Sequence, residues 1–593
     1  MIGARRWPVH AAQSLLVAVA LLFPVTIMRG KSVTSDETAH LPAGYSYLTT
    51  GIVKLNPMHP PLVKELCALP LLALRPTLPI DRAELATTNF PLTYQWDFGK
   101  KFFYSQDADR LLFWGRVPVV LMSAGLAVLV ALWAQRLWGA TASLLALLLY
   151  VFDPTVTAHA QLVTTDVGMA FFGMLFLYVF RLYLAAPSRR GLLLSGITLG
   201  LALGAKFSGV LLLPVAAILL GLATWGDRDD PRTRRLGTRR PRTPAPSGPG
   251  LAPTLVNPLA GGPRSARLLC GLGVMAVLVV VAGIVLWVIY IFPRDPLFYW
   301  RGFQAVNQDH SPDYPYYLMG TLKPGGWTHY LLIAWLVKTP LPSLLLLAGA
   351  ALVLVRGVRA AWLDEAFLIV PAVVFFVGYS VTADNMGVRY LIPVFPFLFV
   401  FTARVVPAVT SARRWAPVVV GVLLAWHVGE FISIWPDHLS YFNEIAGGPR
   451  GGPEWLDDSN VDWGQGLIQL REYLAAEGVR DYQLCYFGNA ELQHYGIRAQ
   501  SVTLPMAPGI VVLSTHCWAR LRVQLERVVG RAEADRLVQR SPKAFVGHAY
   551  YVYEIPEPAA RGAGVDLRDA ATRAGAARPI ESPPIEASPS FAK

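Results

Sequence analysis

Charge is scarce in this chain. Only 15% of its 593 residues are Asp, Glu, Lys or Arg, against about 25% in an ordinary soluble domain. Long apolar stretches such as LLLSGITLGLALGA and VMAVLVVVAGIVLWVIYIF recur along most of the first 434 residues. One buried core has no use for such repetition, whereas a bilayer-crossing helix needs roughly 20 apolar residues; the chain reads as a membrane protein. Cysteine is scarce too, with four residues. They form no metal-binding cluster, and only Cys485 and Cys517, both in strand-like segments, leave a disulfide open in an oxidising compartment. The first apolar run follows Arg5 and Arg6 but lacks a small-residue cleavage site, so it reads as a retained anchor. Acids are largely missing from the apolar runs, and no internal repeat is visible. Both absences argue against a transporter or flippase of a lipid-linked precursor, which would place polar groups at mid-membrane within repeated halves.

What is present is a series of spans. The pattern predicts about eleven transmembrane helices, near 11–29, 111–136, 139–157, 163–181, 191–205, 207–224, 267–292, 329–355, 364–381, 388–403 and 412–434. The two around Lys206 are short and abut, as a broken pair or one interrupted span. Lys and Arg concentrate on the cytoplasmic side of membrane proteins. With the N-terminus inside, Arg136, Arg181, Arg189, Arg190, Arg356, Arg359, Arg404, Arg413 and Arg414 all fall inside. Residues 30–110, 293–328 and everything after 435 then fall outside. The expected location is the cytoplasmic (inner) membrane, multi-pass.

The net charge of +13 needs no nucleic acid to explain it. Much of the excess is topology-setting arginine, and the Arg- and Pro-rich linker 225–266 has no interleaved aromatics. It reads as a disordered cytoplasmic segment within a transmembrane domain spanning 1–434. After Trp435 the chain becomes mixed and polar. DWGQGLIQLREYLAAEGV is an amphipathic helix with Leu467, Leu470 and Leu474 on one face. DYQLCYFG, PGIVVLSTHC and HAYYVYEI are strand-like. A small extracytoplasmic α/β domain over 437–557 is expected, followed by a disordered tail, 558–593.

The polar residues gather at the outer ends of the spans. VTSDETAHLPAGY places Asp36, Glu37 and His40 just beyond the first run, and His59 follows before two prolines. On a helix Asp36 and His40 share a face, with Glu37 turned partly aside. FDPTVTAHAQLVTTDVG brings Asp153, His159 and Asp166 to the same side, with Asp153 and Asp166 competing for one role. Lys206, flanked by apolar sequence, is costly unless it snorkels or meets an anion, for which a phosphate is a natural partner. Arg389 opens a helix on the outer side and offers a planar fork to a phosphate or carboxylate. Lys338 falls inside the expected eighth span, as a buried functional charge or the mark of a misplaced boundary.

DETAH at 36–40, HPPL at 59–62, TTDVGMAFF at 164–172, GAKFSG at 204–209 and RYLIPVFP at 389–396 together resemble the polyprenyl-phosphate-dependent membrane glycosyltransferases. These are related to protein O-mannosyltransferases and to the aminoarabinose transferase of lipid A, of glycosyltransferase family 39 type. KTPLP at 338–342 and WLDDSNVDWGQGL at 455–467 resemble a bacterial branch, though no chemistry attaches to the latter. The resemblance implies a polytopic all-α fold of the GT-C type. Its donor is a sugar on polyprenyl phosphate, and its acceptor, a protein, glycan or lipid, lies on the outer side. It implies that Asp36 activates the acceptor, that Glu37 orients it or helps hold a cation, and that the second acid is Asp166 or its competitor Asp153, with Asp166 an imperfect match. Lys206 and Arg389 match the basic positions near the donor phosphate, and His59 the loop histidine that shapes the entrance.

The chemistry is coherent by itself. One carboxylate takes the acceptor proton. The departing polyprenyl phosphate is already a stable anion and needs positive charge more than a proton. One base and two cations suffice for displacement with inversion, whereas retention needs a second carboxylate as nucleophile. A divalent cation, Mg²⁺ or Mn²⁺, held by Asp36, Glu37 and His59 with His40 near, is an option without a compact ligand cluster behind it. The competing classes, a transporter or a non-catalytic envelope assembly protein, leave Asp36, Lys206 and Arg389 without a common purpose.

Overall fold

The computed structural model describes residues 7–225, 258, 263–309, 313–410, 415–502, 506–529 and 540–556. Most of the expected linker 225–266, Arg5, Arg6, Arg413, Arg414 and the tail 558–593 lie outside the described residues.

Apart from one short hairpin at 315–324, the regular structure among the described residues of the first part is helical, as a multi-pass membrane protein requires. Among the described residues, seven helices are long and apolar enough to cross a membrane, and eight if one sharply bent pair counts as a span. All eleven expected stretches contain helix, but several are broken or short. Ala140–Val151 has 12 residues and Arg189–Ala205 has 17. The expected helix at 329–355 is two helices, Tyr330–Lys338 and Leu341–Val355, bent by 110°. The cause is the sequence between them, since Pro340 and Pro342 lack the amide hydrogens that would continue the ladder.

Helix Arg264–Ile289 shows how the spans pack. Leu269, Leu272 and Val280 are 68%, 67% and 62% exposed, on a face fit for lipid, while Val274, Leu278, Ala282 and Leu286 are buried at a four-residue spacing. The adjacent row of that helix, Val281, Val285 and Ile289, meets Gly196, Gly200 and Gly204 on Arg189–Ala205. A Cβ on any of the three would come within 2.6 Å of Val281, Val285 or Ile289. Helices in a membrane gain little from mutual hydrophobicity, so close backbone approach through small residues holds them. The glycine ridge therefore fixes the helix that ends at Lys206. There the backbone becomes extended (φ −156°, ψ 145°) and re-enters a helix through a 3₁₀ turn, Phe207–Leu211.

The C-terminal part holds a five-stranded sheet. After a small hairpin of β1 (Pro315–Leu318) and β2 (Thr321–Pro324), the strands are β3 (Tyr482–Cys485), β4 (Gln500–Ser501), β5 (Gly509–Ser514), β6 (Ala544–Val546) and β7 (Tyr550–Ile555). Their order is β4-β3-β5-β7-β6, with β3 parallel to β4 and β5 and the β5-β7-β6 side antiparallel. Helix Leu467–Ala476 buries Leu467, Leu470 and Leu474. A disulfide joins Cys485, at the end of β3, to Cys517 in helix Thr515–Val529. This part is bound tightly to the segment that follows the first helix. Lys31 pairs with Asp437, which also accepts from Gln469 Nε2 at 3.0 Å and contacts His548 Nδ1 at 2.9 Å. The Ser32 amide donates to the Gln465 carbonyl at 3.1 Å.

Candidate active site

The site begins with helix Ser35–Thr50, whose first turn carries Asp36 and Glu37. The two acids have different work. Glu37 is fully buried and receives Arg116 at both oxygens, Nε to Oε1 at 2.8 Å and Nη2 to Oε2 at 2.7 Å. It also accepts from the Thr34 amide (2.9 Å), the Thr34 hydroxyl (3.0 Å) and the Val163 amide (3.0 Å). A carboxylate has about four lone-pair sites, so Glu37 has nothing left for an acceptor or a cation. These bonds occupy the lone pairs that the catalytic or metal-holding role expected of it would use. Arg116 adds bonds to the Met28, Lys31 and Ser32 carbonyls at 2.9, 3.1 and 2.9 Å, which pins the chain where it leaves the first helix.

Asp36 turns the other way and meets Arg389, Oδ2 to Nη1 at 2.7 Å. Arg389 stands in a 3₁₀ turn, Val388–Leu391. Asp166, in the first turn of helix Thr165–Ala185, pairs with Lys206 Nζ at 2.6 Å. The two couples adjoin through Tyr390, whose ring centre is 4.8 Å from Lys206 Nζ and 5.5 Å from Arg389 Cζ. Asp36, Asp166, Lys206 and Arg389, expected to work together, thus lie in one cluster.

Three histidines border it. His40 Nδ1 lies 3.0 Å from the Val163 carbonyl, and its ring is 5.6 Å from that of His59. Burial holds His40 below the usual imidazole range, and burial with nearby Lys206 holds His59 well below it. His159 is pushed down to about 3, again first by burial. All three are therefore neutral near pH 7. Lys64 fixes the His59 loop by donating to the Asn56 carbonyl (2.7 Å), the Asn56 side chain (2.8 Å) and the His59 carbonyl (2.6 Å). Ser35 Oγ, His59 Nδ1, His159 Nδ1 and Arg389 Nε are buried without a protein partner. Such groups are costly to bury unsatisfied and mark where a ligand's polar atoms would be welcome.

The remaining candidates find other roles. Asp153 caps the short helix Pro154–His159, accepting from the Val156 amide at 2.8 Å, which leaves Asp166 as the second acid of the cluster. Lys338 sits at the proline elbow and donates to the carbonyls of Leu439 (2.8 Å) and Asn460 (2.6 Å). It is a buried strut at the bend that divides the expected span at 329–355. A cation cage does not fit either, because Glu37 is saturated and Asp36 faces an arginine. Among the described residues no three His, Cys, Asp or Glu side chains converge as a metal would require. Two contributors have no assigned place in the sequence reading. Arg116 lies inside an apolar run, where an unpaired charge is costly, and that cost is the signal for a buried acid partner. Trp463, within DSNVDWGQ, covers Arg389 with its ring centre 4.3 Å from Cζ.

No curated protein matches the chain. Solved structures similar to it include ArnT from Cupriavidus metallidurans bound to undecaprenyl phosphate, at 14% identity and TM-score 0.44, over 91% of this chain and 97% of that one. The archaeal oligosaccharyltransferase AglB from Archaeoglobus fulgidus, in complex with an inhibitory peptide and a dolichol-phosphate, aligns at 12% identity and TM-score 0.41, over 72% and 57%. The S. cerevisiae protein O-mannosyltransferase Pmt1-Pmt2 complex bound to the sugar donor aligns at 18% identity and TM-score 0.31, over 50% and 34%. Residues 14–235 match the family described as dolichyl-phosphate-mannose-protein mannosyltransferase. That stretch includes Asp36, Asp166 and Lys206, and over it the chain is similar to that family.

Proposed function

We propose that this protein transfers a sugar from a polyprenyl-phosphate donor to a hydroxyl acceptor at the outer face of the cytoplasmic membrane, with inversion. The observation that carries the reading is the double couple Asp36–Arg389 and Asp166–Lys206 around Tyr390. Each cation is held by a carboxylate that an incoming phosphate can replace or share. Arg389, with Nε unpartnered, supplies a fork to the donor phosphate, and Lys206 a point charge.

When phosphate takes Arg389, Asp36 is released to accept the acceptor's proton. The acceptor oxygen attacks the anomeric carbon, and the carbon–oxygen bond to phosphate breaks with its electron pair leaving on the phosphate. Negative charge grows on phosphate as that bond lengthens, so Arg389 and Lys206 stabilise the transition state more than the ground state. Asp166 holds Lys206 in place and is not free to act as nucleophile, which favours a single displacement. The neutral histidines add no charge and shape the entrance. Eleven crossings, with the N-terminus inside and the sheet domain outside, follow from the arginine placement. The Cys485–Cys517 disulfide supports an oxidising compartment for the sheet domain.

The test compares lipids and glycans of a deletion strain with those of its parent. Accumulated polyprenyl-phosphate sugar and loss of one glycan are expected, restored by the wild-type gene and not by Asp36→Asn. Unchanged lipid and glycan profiles would overturn the reading.

A further inference from the structure

The segment Asp458–Trp463 takes no part in the reaction as derived above, yet it touches every element of the Asp36–Arg389 couple. Asn460 Oδ1 accepts from the Val388 amide at 2.9 Å, and Ser459 Oγ donates to the Met386 carbonyl at 2.7 Å. The approach is so close that a Cβ on Gly387 would lie 2.4 Å from Ser459 Oγ. The turn carrying Arg389 is thus moulded on this segment. Trp463 adds its ring, 4.3 Å from Arg389 Cζ, and its carbonyl accepts the amide of Ser35, the residue before Asp36, at 3.2 Å. The segment is itself anchored to the transmembrane part. Asn460 Nδ2 donates to the Tyr330 hydroxyl at 2.9 Å, and Lys338 holds the Asn460 carbonyl at 2.6 Å. The indole is 3% exposed, and the Trp463 amide is tied to Gln465 Oε1 at 2.7 Å.

We infer that Trp463 is a positioning residue of this active site, holding the acid through its backbone and the cation through its ring. The inference rests on the reading of Arg389 as a ligand of the donor phosphate. A cation over an indole is held without spending its N–H donors. In the resting site Arg389 is also fixed by Asp36. Once phosphate displaces that carboxylate, the Trp463 ring stays as the nearer of the two aromatic contacts, with Tyr390 at 5.5 Å, and it keeps the fork aimed at the phosphate. The C-terminal sheet domain thereby becomes part of the donor site through the segment that leads into it.

The test uses the full chain in nanodiscs with undecaprenyl phosphate alone as the probe, and a thermal melt of each variant. Arg389→Met should weaken binding. Trp463→Leu, which keeps apolar bulk and removes the π-face, should weaken it about 3- to 30-fold. Trp463→Phe, which keeps a ring, should fall between Trp463→Leu and wild type, and it serves alone if the leucine variant fails to melt cooperatively. The double variant should bind no worse than Arg389→Met, because the tryptophan acts through the arginine. Wild-type affinity in Trp463→Leu or Trp463→Phe, alongside weakened Arg389→Met, would overturn the inference and leave the proposed function standing. Additive losses in the double variant would overturn it as well. Normal binding in Arg389→Met would defeat both readings together.

Discussion

Two adjacent acids stand at 36 and 37, and only one is available for chemistry. The choice is made by Arg116, 79 residues away, which takes both oxygens of Glu37 and leaves Asp36 to face Arg389. The sequence makes the acids, Lys206 and Arg389 legible as a group because charges at span ends need partners. It cannot say which acid is the strut, because that depends on a helix packed from elsewhere. The two substitutions should therefore fail differently. Asp36→Asn keeps the size and removes the proton acceptor, so turnover should fall roughly 100- to 10,000-fold. Undecaprenyl phosphate binding should survive or tighten, because the carboxylate that competes for Arg389 is gone, and near-normal turnover would make Asp36 merely structural. Glu37→Gln instead leaves Arg116 buried and unpaired, at a cost of about 3–5 kcal/mol. Its signature is a lower melting temperature that added Mg²⁺ does not restore; a normal melt with metal-rescued turnover would return Glu37 to a cation site.

At the scale of the element, breaks in helices matter more than helices. Hydropathy reads runs of apolar residues and passes over the places where a run turns. Asp153–Pro154, Lys206 and Thr339–Pro340 are three such places, and each bears a cap, a site cation or the end of a strut. The sequence shows the break at Lys206 but not the helix against which its glycine ridge lies. Gly200→Leu should force that helix off Val285, where a Cβ alone would already sit 2.6 Å away. A loss of about 1–3 kcal/mol is expected, together with reduced turnover as Lys206 shifts. Gly221→Leu is the control, since a Cβ there meets nothing within 4 Å; equal effects would sink the ridge argument. In the segment bearing Trp463, burial pushes the Asp462 carboxyl up to about 7, with Oδ2 lacking a partner. The folded chain then holds a proton that the unfolded chain loses near pH 4, so stability from this group declines as pH rises from about 4 to 7. Asp462→Asn should lower the melting temperature less, or raise it, at pH 8 relative to pH 5. A wild-type–variant difference that is flat across that range would refute the assignment.

For the whole molecule, the open quantity is the path of the chain through the bilayer. Among the described residues seven helices are long and apolar enough to cross, eight with the bent pair, while the arginine pattern is read on eleven. The two numbers diverge for a physical reason. A 12-residue helix such as Ala140–Val151 rises about 18 Å, short of the roughly 30 Å hydrocarbon core, and needs the chain beyond its break to finish the crossing. Parity is what the count decides. An odd number puts the sheet domain opposite the N-terminus, on the side of Asp36 and Arg389. The direct contacts of Trp463 with Arg389 and Ser35 require that same side. On the arginine pattern the linker at 225–266 is expected on the side opposite Asp36 and Arg389. Single cysteines placed at 245 and 570, with Cys67 and Cys270 replaced, should respond oppositely to an impermeant thiol reagent in intact spheroplasts. Position 570 should react at once and position 245 only after permeabilisation. Equal labelling at both positions would break the odd count, and with it the placement of the transfer reaction on the outer face.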